Sequence, residues 1–341
     1  MKPIQEMNIK QVAILVTNNA VGSELMGVKD FFEYANSFWQ YMYPADPHRL
    51  FECELYSVEG KQVQCSNGFI LPCRPIDELQ QADIMISVAA YTYSKSGLKA
   101  YLQAAQPMYA KLKQAVAGGT WVASHCSGTF SLAEAGLLDN RQATTCWWLK
   151  EVFAQRYPQV RLKFDELVVR SDNIITGGAT TSFLNVCMAI LEEIMGFAFA
   201  NNLSKLLLMD RHRLSQQAFI DPELVIGHRD SLMEQVQQWM RQHYAEPFNL
   251  DELCDRFAVT KRTLIRRFKA ATGETPLAYL QQIRVEKAKG LLQATDLPIE
   301  RIVEKVGYGD PASFRKLFVN LTQLTPKAYR QRFAYQPRLS A

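Results

Sequence analysis

The chain has 341 residues, 48% hydrophobic and 21% charged, with a formal net charge of +4. That length suits two or three domains of about 100–200 residues each, and the composition excludes a wholly disordered chain. No apolar run reaches the roughly 18 residues a membrane-spanning helix needs, and MKPIQEMNIKQ has no apolar signal core, so a cytoplasmic protein without a membrane partner is expected.

The charge is unevenly placed. From His228 onward there are 19 basic and 12 acidic residues, and before it 19 and 22. A basic part following an acidic one suits a nucleic-acid contact, although uneven surface solvation would give the same numbers. The seven cysteines (Cys53, Cys65, Cys73, Cys126, Cys146, Cys187 and Cys254) are odd in number and irregularly spaced. No CxxC pair appears, so zinc-site spacing is absent and no metal is expected; no cofactor is expected either, and a reducing compartment is the simplest setting.

In chain order, Gln11–Thr17 is a continuous apolar run suited to a buried parallel strand. Glu24–Phe38 reads as helix, 50–58 and 61–71 as strands, and Ala82–Ala90 as another buried strand. Gly97–Ala117 reads as one long helix, Thr120–His125 as a strand and Thr129–Ala135 as a helix. Short strands follow over 160–176, with a closing helix at Thr180–Met195. Such alternation predicts an α/β doubly wound, mostly parallel sheet, in which ligands sit beyond the carboxyl ends of the strands.

The junction at 120–135 places Cys126-Ser127-Gly128 between a strand and a helix. A nucleophile on such an elbow stands clear of the backbone, and a helix N-terminus lowers a thiol pKa. A small buried cysteine filling a tight turn fits the same spacing. The stretch TWVASHCSGTFSLAEAGLLDNRQATTCWW resembles the ThiJ/PfpI (class I glutamine amidotransferase-like) family over about residues 10–200. The resemblance implies a flavodoxin-like fold. Enzymes of that superfamily pair the elbow cysteine with a histidine; here Ser127 follows Cys126, Cys146 stands at the downstream histidine position, and His125 should point away from the elbow. A cysteine hydrolase, amidase or glyoxalase-like activity is therefore the weaker reading, and a metabolite pocket the stronger. Glu24 matches an acidic position near the elbow in relatives. With Tyr91, Tyr93, Cys126, Ser127, Trp147, Gly178 and Thr180 it forms the expected ligand site. Aromatic rings with a carboxylate suit an amine or quaternary ammonium group, and an amine or amino-acid derivative is the expected effector, although Tyr91 and Trp147 would serve equally as core residues.

Asn201–Gly227 reads as a connector, helical at Leu203–Met209 and a linker from Arg211. Beyond it the sequence repeats. Leu250, Leu253 and Phe257 match Ile299, Ile302 and Val306 at an offset of 49. Leu264, Phe268 and TPLAY (275–279) match Phe314, Phe318 and TPKAY (325–329) at an offset of 50. One supersecondary unit therefore occurs twice. Each copy reads as helix-turn-helix, with Asn249 (Glu252 as capping-box partner), Thr260 and Asp310 as N-caps and Pro311 at the first helical position. Lys261, Arg262, Ile265, Arg266 and Lys269 face away from the first core, and Pro311, Ala312, Arg315 and Lys316 from the second. A basic helix can enter the major groove, or be merely a solvated face; two capped copies favour DNA.

LDELCDRFAVTKRTLIRRFKAATGETPLAYL and GYGDPASFRKLFVNLTQLTPKAYRQRF resemble the AraC/XylS DNA-binding domain over about residues 230–334. That resemblance implies an all-α double helix-turn-helix domain of seven helices with a long linking helix near Leu277–Gln293. By motif position Arg262, Ile265 and Arg266 would face bases in the first unit, and Pro311, Ala312 and Lys316 in the second. The expected whole is a sensor at 1–200, a connector at 201–228 and a DNA-binding domain at 229–341. It would be a regulator answering to a small nitrogenous effector. Double-stranded promoter DNA, RNA polymerase and a second copy, joined through the N-terminal domain, are its expected partners. A ligand-independent DNA binder is the other regulatory alternative.

Overall fold

In the computed structural model the described residues are 8–334, apart from 47, 93, 212, 222–223 and 226–229. The chain divides into two compact units, Met1–Gln216 and Gln217–Ala341.

The first unit opens with β1 (Lys10–Val16), α1 (Gly22–Met42), β2 (Phe51–Ser57), the short hairpin β3 (Gln62–Gln64) and β4 (Ile70–Pro72), and β5 (Arg74–Pro75). It continues through β6 (Ile84–Ser87), α2 (Lys95–Ala104), α3 (Met108–Ala117), β7 (Trp121–His125) and α4 (Gly128–Glu134). Then come β8 (Gln142–Ala143), α5 (Lys150–Arg156), β9 (Arg161–Leu162), β10 (Val168–Ser171), β11 (Ile174–Gly177), α6 (Phe183–Met195) and α7 (Phe197–Leu206). Seven strands form one sheet in the order β10-β11-β7-β6-β1-β2-β5, parallel except where β10 meets β11. The doubly wound fold expected from the alternation is therefore present.

Apolar residues on both faces of the strands drive this layering. Val12, Ile14 and Val16 of β1 pack with Leu25, Val28, Phe31, Phe32 and Ala35 of α1 and with Val186, Ile190 and Leu191 of α6. The α1 residues recur at helical spacing, so one stripe of that helix is buried. Asn36 on that stripe is satisfied at both ends of its amide. Its Oδ1 accepts from the Leu50 and Phe51 N–H groups, and its Nδ2 donates to the Phe51 carbonyl, all at 2.9 Å, which fixes the start of β2 against the helix.

Three local expectations change. The 97–117 segment is two helices, because Pro107 lacks an N–H and its ring would clash with a carbonyl one turn back. The 61–71 strand is the β3–β4 hairpin, since Cys65 N–H donates to Phe69 O at 2.8 Å and Gly68 takes φ +89°. Not all of Arg211–Gly227 is linker: Leu167 N–H donates to Leu214 O, and Gln216 N–H to Asp165 O, each at 2.9 Å.

The second unit is helical: α8 (Ser231–Gln242), α9 (Leu250–Arg256), α10 (Lys261–Thr272), the long α11 (Pro276–Ala294), α12 (Ile299–Lys305), α13 (Pro311–Thr322) and α14 (Pro326–Phe333). The sequence repeat is reproduced at atomic level. Thr272 Oγ1 donates to Phe268 O at 2.9 Å, and Thr322 Oγ1 to Phe318 O at 2.7 Å. Phe268 meets Tyr279 edge-on at 5.4 Å, and Phe318 meets Tyr329 edge-on at 5.5 Å. Thr275 and Thr325 cap the helices that begin at Pro276 and Pro326. The Asn249 cap differs from a capping box: its Oδ1 accepts from Asp251 N–H, while Glu252 accepts from the Asn249 side chain rather than its backbone.

Both helix-turn-helix turns use a left-handed residue, Ala258 at φ +50° and Gly307 at φ +79°. Only glycine fits the second, where a Cβ would stand 2.5 Å from the Ala245 carbonyl oxygen. Ala258 is exposed and carries the cost of its left-handed conformation, about 1–2 kcal/mol. Part of that cost is offset by the flexibility glycine adds to the unfolded chain. Ala258→Gly is therefore expected to stabilise the protein by up to about 1 kcal/mol in urea unfolding, and a net loss of stability would contradict this reading.

Candidate ligand site and nucleic-acid interface

The strand order reverses between β1 and β6, so the crevice of the sheet lies at their carboxyl ends. Here the loops are stitched together. Ala20 bridges Ala90, Val21 N–H donates to Ala89 O at 3.0 Å, and Tyr91 N–H donates to Asn19 O at 2.9 Å. One strand over, β7 ends at His125 and the chain turns through Cys126 at φ +52°. The Cys126 N–H reaches the carbonyls of Gly178 at 2.7 Å and Gly177 at 3.1 Å, and Thr145 Oγ1 donates to the Cys126 carbonyl at 2.7 Å. Ser127 Oγ donates to Ala90 O at 2.8 Å. A Cβ on Gly128 would stand 2.5 Å from the Ser87 carbonyl oxygen, so only glycine lets α4 start so close to the end of β6. This is the strand–elbow–helix geometry expected of the segment.

The chemistry at the elbow does not suit a nucleophile. Cys126 is buried, its thiol hydrogen-bonded to that of Cys146. That hydrogen bond, together with burial, raises the Cys126 pKa well above the ordinary thiol range. The position where an enzyme would hold a histidine base thus holds a second thiol. His125 faces the other way, with its Nε2 2.7 Å from Glu24 Oε2 and both side chains buried. Among the described residues, neither His125 Nδ1 nor Glu24 Oε1 has a hydrogen-bond partner.

Of the ligand-site residues singled out in the sequence, Glu24, Cys126, Ser127, Trp147 and Gly178 are buried together at the carboxyl end of the sheet. Tyr91 and Thr180 are exposed at the same end, and Tyr93 lies outside the described residues. A cleft of about 750 Å³ lies elsewhere, at the amino ends of β1, β6 and β7, lined by Lys10, Asp83, Lys111 and Trp121. The fold places the chemistry at the opposite end. The structure adds two participants that the sequence does not point to: His125 as the partner of Glu24, and Gln216, which packs on Gly178. A histidine before an elbow cysteine signals only that it points away, and no local pattern reveals that Gln216 folds back.

In the second unit, Leu264 and Phe268 of α10 are buried with Met233, Val236, Leu253 and Ile283. Phe314 and Phe318 of α13 are buried with Ile302, Val303, Val306 and Leu292. These anchors turn the opposite faces outward. Lys261, Arg262, Ile265, Arg266 and Lys269 are exposed on α10, as are Pro311, Ala312, Arg315 and Lys316 on α13. Lys261 pairs with Asp251 at 2.7 Å, whereas Arg262, Arg266, Arg315 and Lys316 make no ion pair among the described residues. Arg267 turns inward instead: its guanidinium grips Asp230 at 2.6 and 2.9 Å, and Asp230 also caps α8. Asp310 caps α13 by accepting from the Ala312 and Ser313 N–H groups, and the Ser313 hydroxyl helps hold its carboxyl below the usual range.

The raised pKa keeps Cys126 a thiol at neutral pH, and the thiolate is the form that reacts. The stabilisation this protonated group gives the fold is complete below the ordinary thiol pKa and disappears as pH rises through the raised one. Cys126 should therefore resist iodoacetamide in the native chain at pH 7–8. Peptide mapping that found it alkylated as fast as the unfolded chain would refute the assignment.

A DJ-1/PfpI family model matches residues 10–193, and a helix-turn-helix domain model matches residues 253–332. The chain is 27% identical over 290 residues to the HTH-type transcriptional regulator CdhR of Pseudomonas aeruginosa, a match covering 84% of this chain and 81% of that one. It is 22% identical over 331 residues to the HTH-type transcriptional regulator GbdR of the same species, covering 96% and 86%. The crystal structure of a protein from Vibrio parahaemolyticus shares the fold over 59% of this chain and 100% of its own, with a TM-score of 0.52 at 16% identity. The chain belongs to the DJ-1/PfpI family and carries an AraC-type helix-turn-helix domain at its C-terminal end, the composition of a DNA-binding transcription regulator rather than an enzyme.

Proposed function

We propose that residues 229–341 read double-stranded promoter DNA and that residues 1–200 bind a small nitrogenous effector that alters this reading, with 201–228 as the connector. The observation that carries the DNA half is the pair of capped helix-turn-helix units, each with its cationic residues on the exposed face of α10 or α13. A helix of such dimensions fits the major groove, where arginine can pair with guanine and lysine can hold phosphate. In this reading Arg262, Ile265 and Arg266 meet base edges, with Lys261 and Lys269 beside them on the backbone. Pro311 and Ala312 offer no side-chain donor, so the second unit contributes shape and, through Arg315 and Lys316, phosphate contacts.

The effector would be held at the carboxyl end of the sheet by Glu24, Tyr91, Tyr93, Cys126, Ser127, Trp147, Gly178 and Thr180. The sensor would act as a homodimer in the cytoplasm, with RNA polymerase as the downstream partner. The buried thiol pair at the elbow supports binding over catalysis there.

Arg262→Ala and Arg266→Ala should each weaken specific DNA binding by about 1–3 kcal/mol, whereas Lys316→Ala should weaken binding across sequences and lower the salt slope by about 1. Footprinting and salt titration separate these outcomes, and unchanged footprints in both arginine variants would sink the assignment. A thermal-shift screen of the chain against amines, amino acids and their derivatives should find a compound that raises its melting temperature. If that compound also leaves DNA affinity unchanged, the effector reading is wrong.

A further inference from the structure

Gln216 is 1% exposed, although it lies in a stretch that reads as linker. Its carboxamide occupies a shaped set of polar groups. Nε2 donates to the Phe164 carbonyl at 2.7 Å and the Thr145 carbonyl at 3.0 Å, with Thr144 Oγ1 at 3.3 Å and the Glu166 carbonyl at 3.4 Å beyond. Oε1 accepts from the Ala179 N–H at 3.2 Å. Turning the amide round would set its oxygen against those acceptors, so the network fixes its orientation. Gly178 makes the room, since a Cβ there would stand 2.5 Å from Oε1.

These groups select one chemical class. An ammonium or guanidinium would satisfy the carbonyls but turn a donor on the Ala179 N–H. A carboxylate would place an oxygen against the carbonyls. A primary carboxamide, with two donors on one atom and an acceptor on the other, satisfies both sides. The subsite adjoins the elbow directly. Thr145 Oγ1 donates to the Cys126 carbonyl, and the Gly178 carbonyl accepts from the Cys126 N–H.

Gln216 is also the last residue of the first unit, with Gln217 opening the second. The strap before it is held by polar contacts: Leu214 O and Gln216 N–H on the backbone, and Ser215 Oγ donating to Asp165 O at 2.7 Å. Leu214 itself is 77% exposed, so apolar burial adds little. The carboxamide is therefore a buried anchor at the end of the strap, with the Arg211–Glu192 ion pair holding its start.

We propose that this is a primary-carboxamide subsite, occupied by the chain's own Gln216, and that an effector bearing a primary carboxamide displaces Gln216 and frees the strap leading to the DNA-binding unit. The regulatory half of this inference rests on the reading under Proposed function; the binding half does not. Removing the plug should leave a site that a small amide can fill, so the probe is propionamide, with propionate and propylammonium as controls. In full-length Gln216→Ala, propionamide should raise the melting temperature by about 2 °C or more at saturation while the controls do not. The DNA affinity of that variant should differ from wild type by the same direction and factor as the affinity of the wild-type chain shifts when saturating propionamide is added. No shift, or an equal shift with propionate, overturns the subsite. A shift in a variant whose DNA affinity equals that of wild type keeps the subsite and overturns the coupling. Should Gln216→Ala fail to fold, the wild-type chain serves: propionamide, and not propionate, should speed trypsin cleavage at Arg213, and unchanged cleavage overturns the proposal. Failure of the wild-type chain to bind DNA would instead sink the regulator reading and leave the thermal shift intact.

Discussion

The first unit depends on one close approach. The Gly128 Cα lies against the Ser87 carbonyl, and no side chain fits between them. This lets α4 begin next to the end of β6, which forces Cys126 into a left-handed turn and aims its N–H at the Gly177 and Gly178 carbonyls. Those bonds in turn fix the segment after β11, where Gly178 and Ala179 receive Gln216. A left-handed non-glycine residue costs about 1–2 kcal/mol, and here the surrounding hydrogen bonds impose it. The elbow thus organises its neighbours whether or not its thiol reacts. Its thiol is hydrogen-bonded to Cys146 and buried, and both effects raise its pKa.

The second unit rests on a comparable contact between its halves. Arg284 of α11 is nearly buried, and donates to the Tyr244 carbonyl at 2.7 Å and the Glu246 carbonyl at 2.6 Å. Its guanidinium carbon also lies 5.2 Å from the centre of the Tyr308 ring. The same loop presses its Ala245 carbonyl against Gly307, in the turn of the second helix-turn-helix. One arginine therefore ties the loop after α8 to the turn before α13, across the long helix that joins the two copies. Burying a guanidinium is expensive unless its donors are bonded, and these carbonyls accept from two of its nitrogens. The two exposed basic faces are then parts of one body, which suits two groove contacts at a fixed spacing.

Much of this was legible in the sequence because it is local and periodic. Leu264 and Phe268 at helical spacing, the Thr-Pro starts at 275 and 325, and the Asp310-Pro311 entry each carry their own geometry, and their recurrence at a constant offset makes the second unit unmistakable. The elbow was legible too, because Cys-Ser-Gly between a strand run and a helix run has few alternative folds. The single helix expected at 97–117 and the single strand at 61–71 failed where Pro107 and Gly68 outweighed the hydrophobic pattern around them. The Glu252 capping role failed for a subtler reason: the Asn249 amide itself supplies a donor for the carboxylate.

The sequence by itself determined the fold classes, the doubled helix-turn-helix and which faces of its helices carry charge, since hydrophobic period and capping residues act over one or two turns of chain. Only the tertiary structure decided what each polar group meets. Glu24 pairs with His125, 101 positions away. Cys126 shares its hydrogen bond with Cys146. Gln216 returns from the apparent linker to lie between Thr145, Phe164 and Ala179. Such partners are set by how the strands are ordered in the sheet, and strand order has no local period from which to be read.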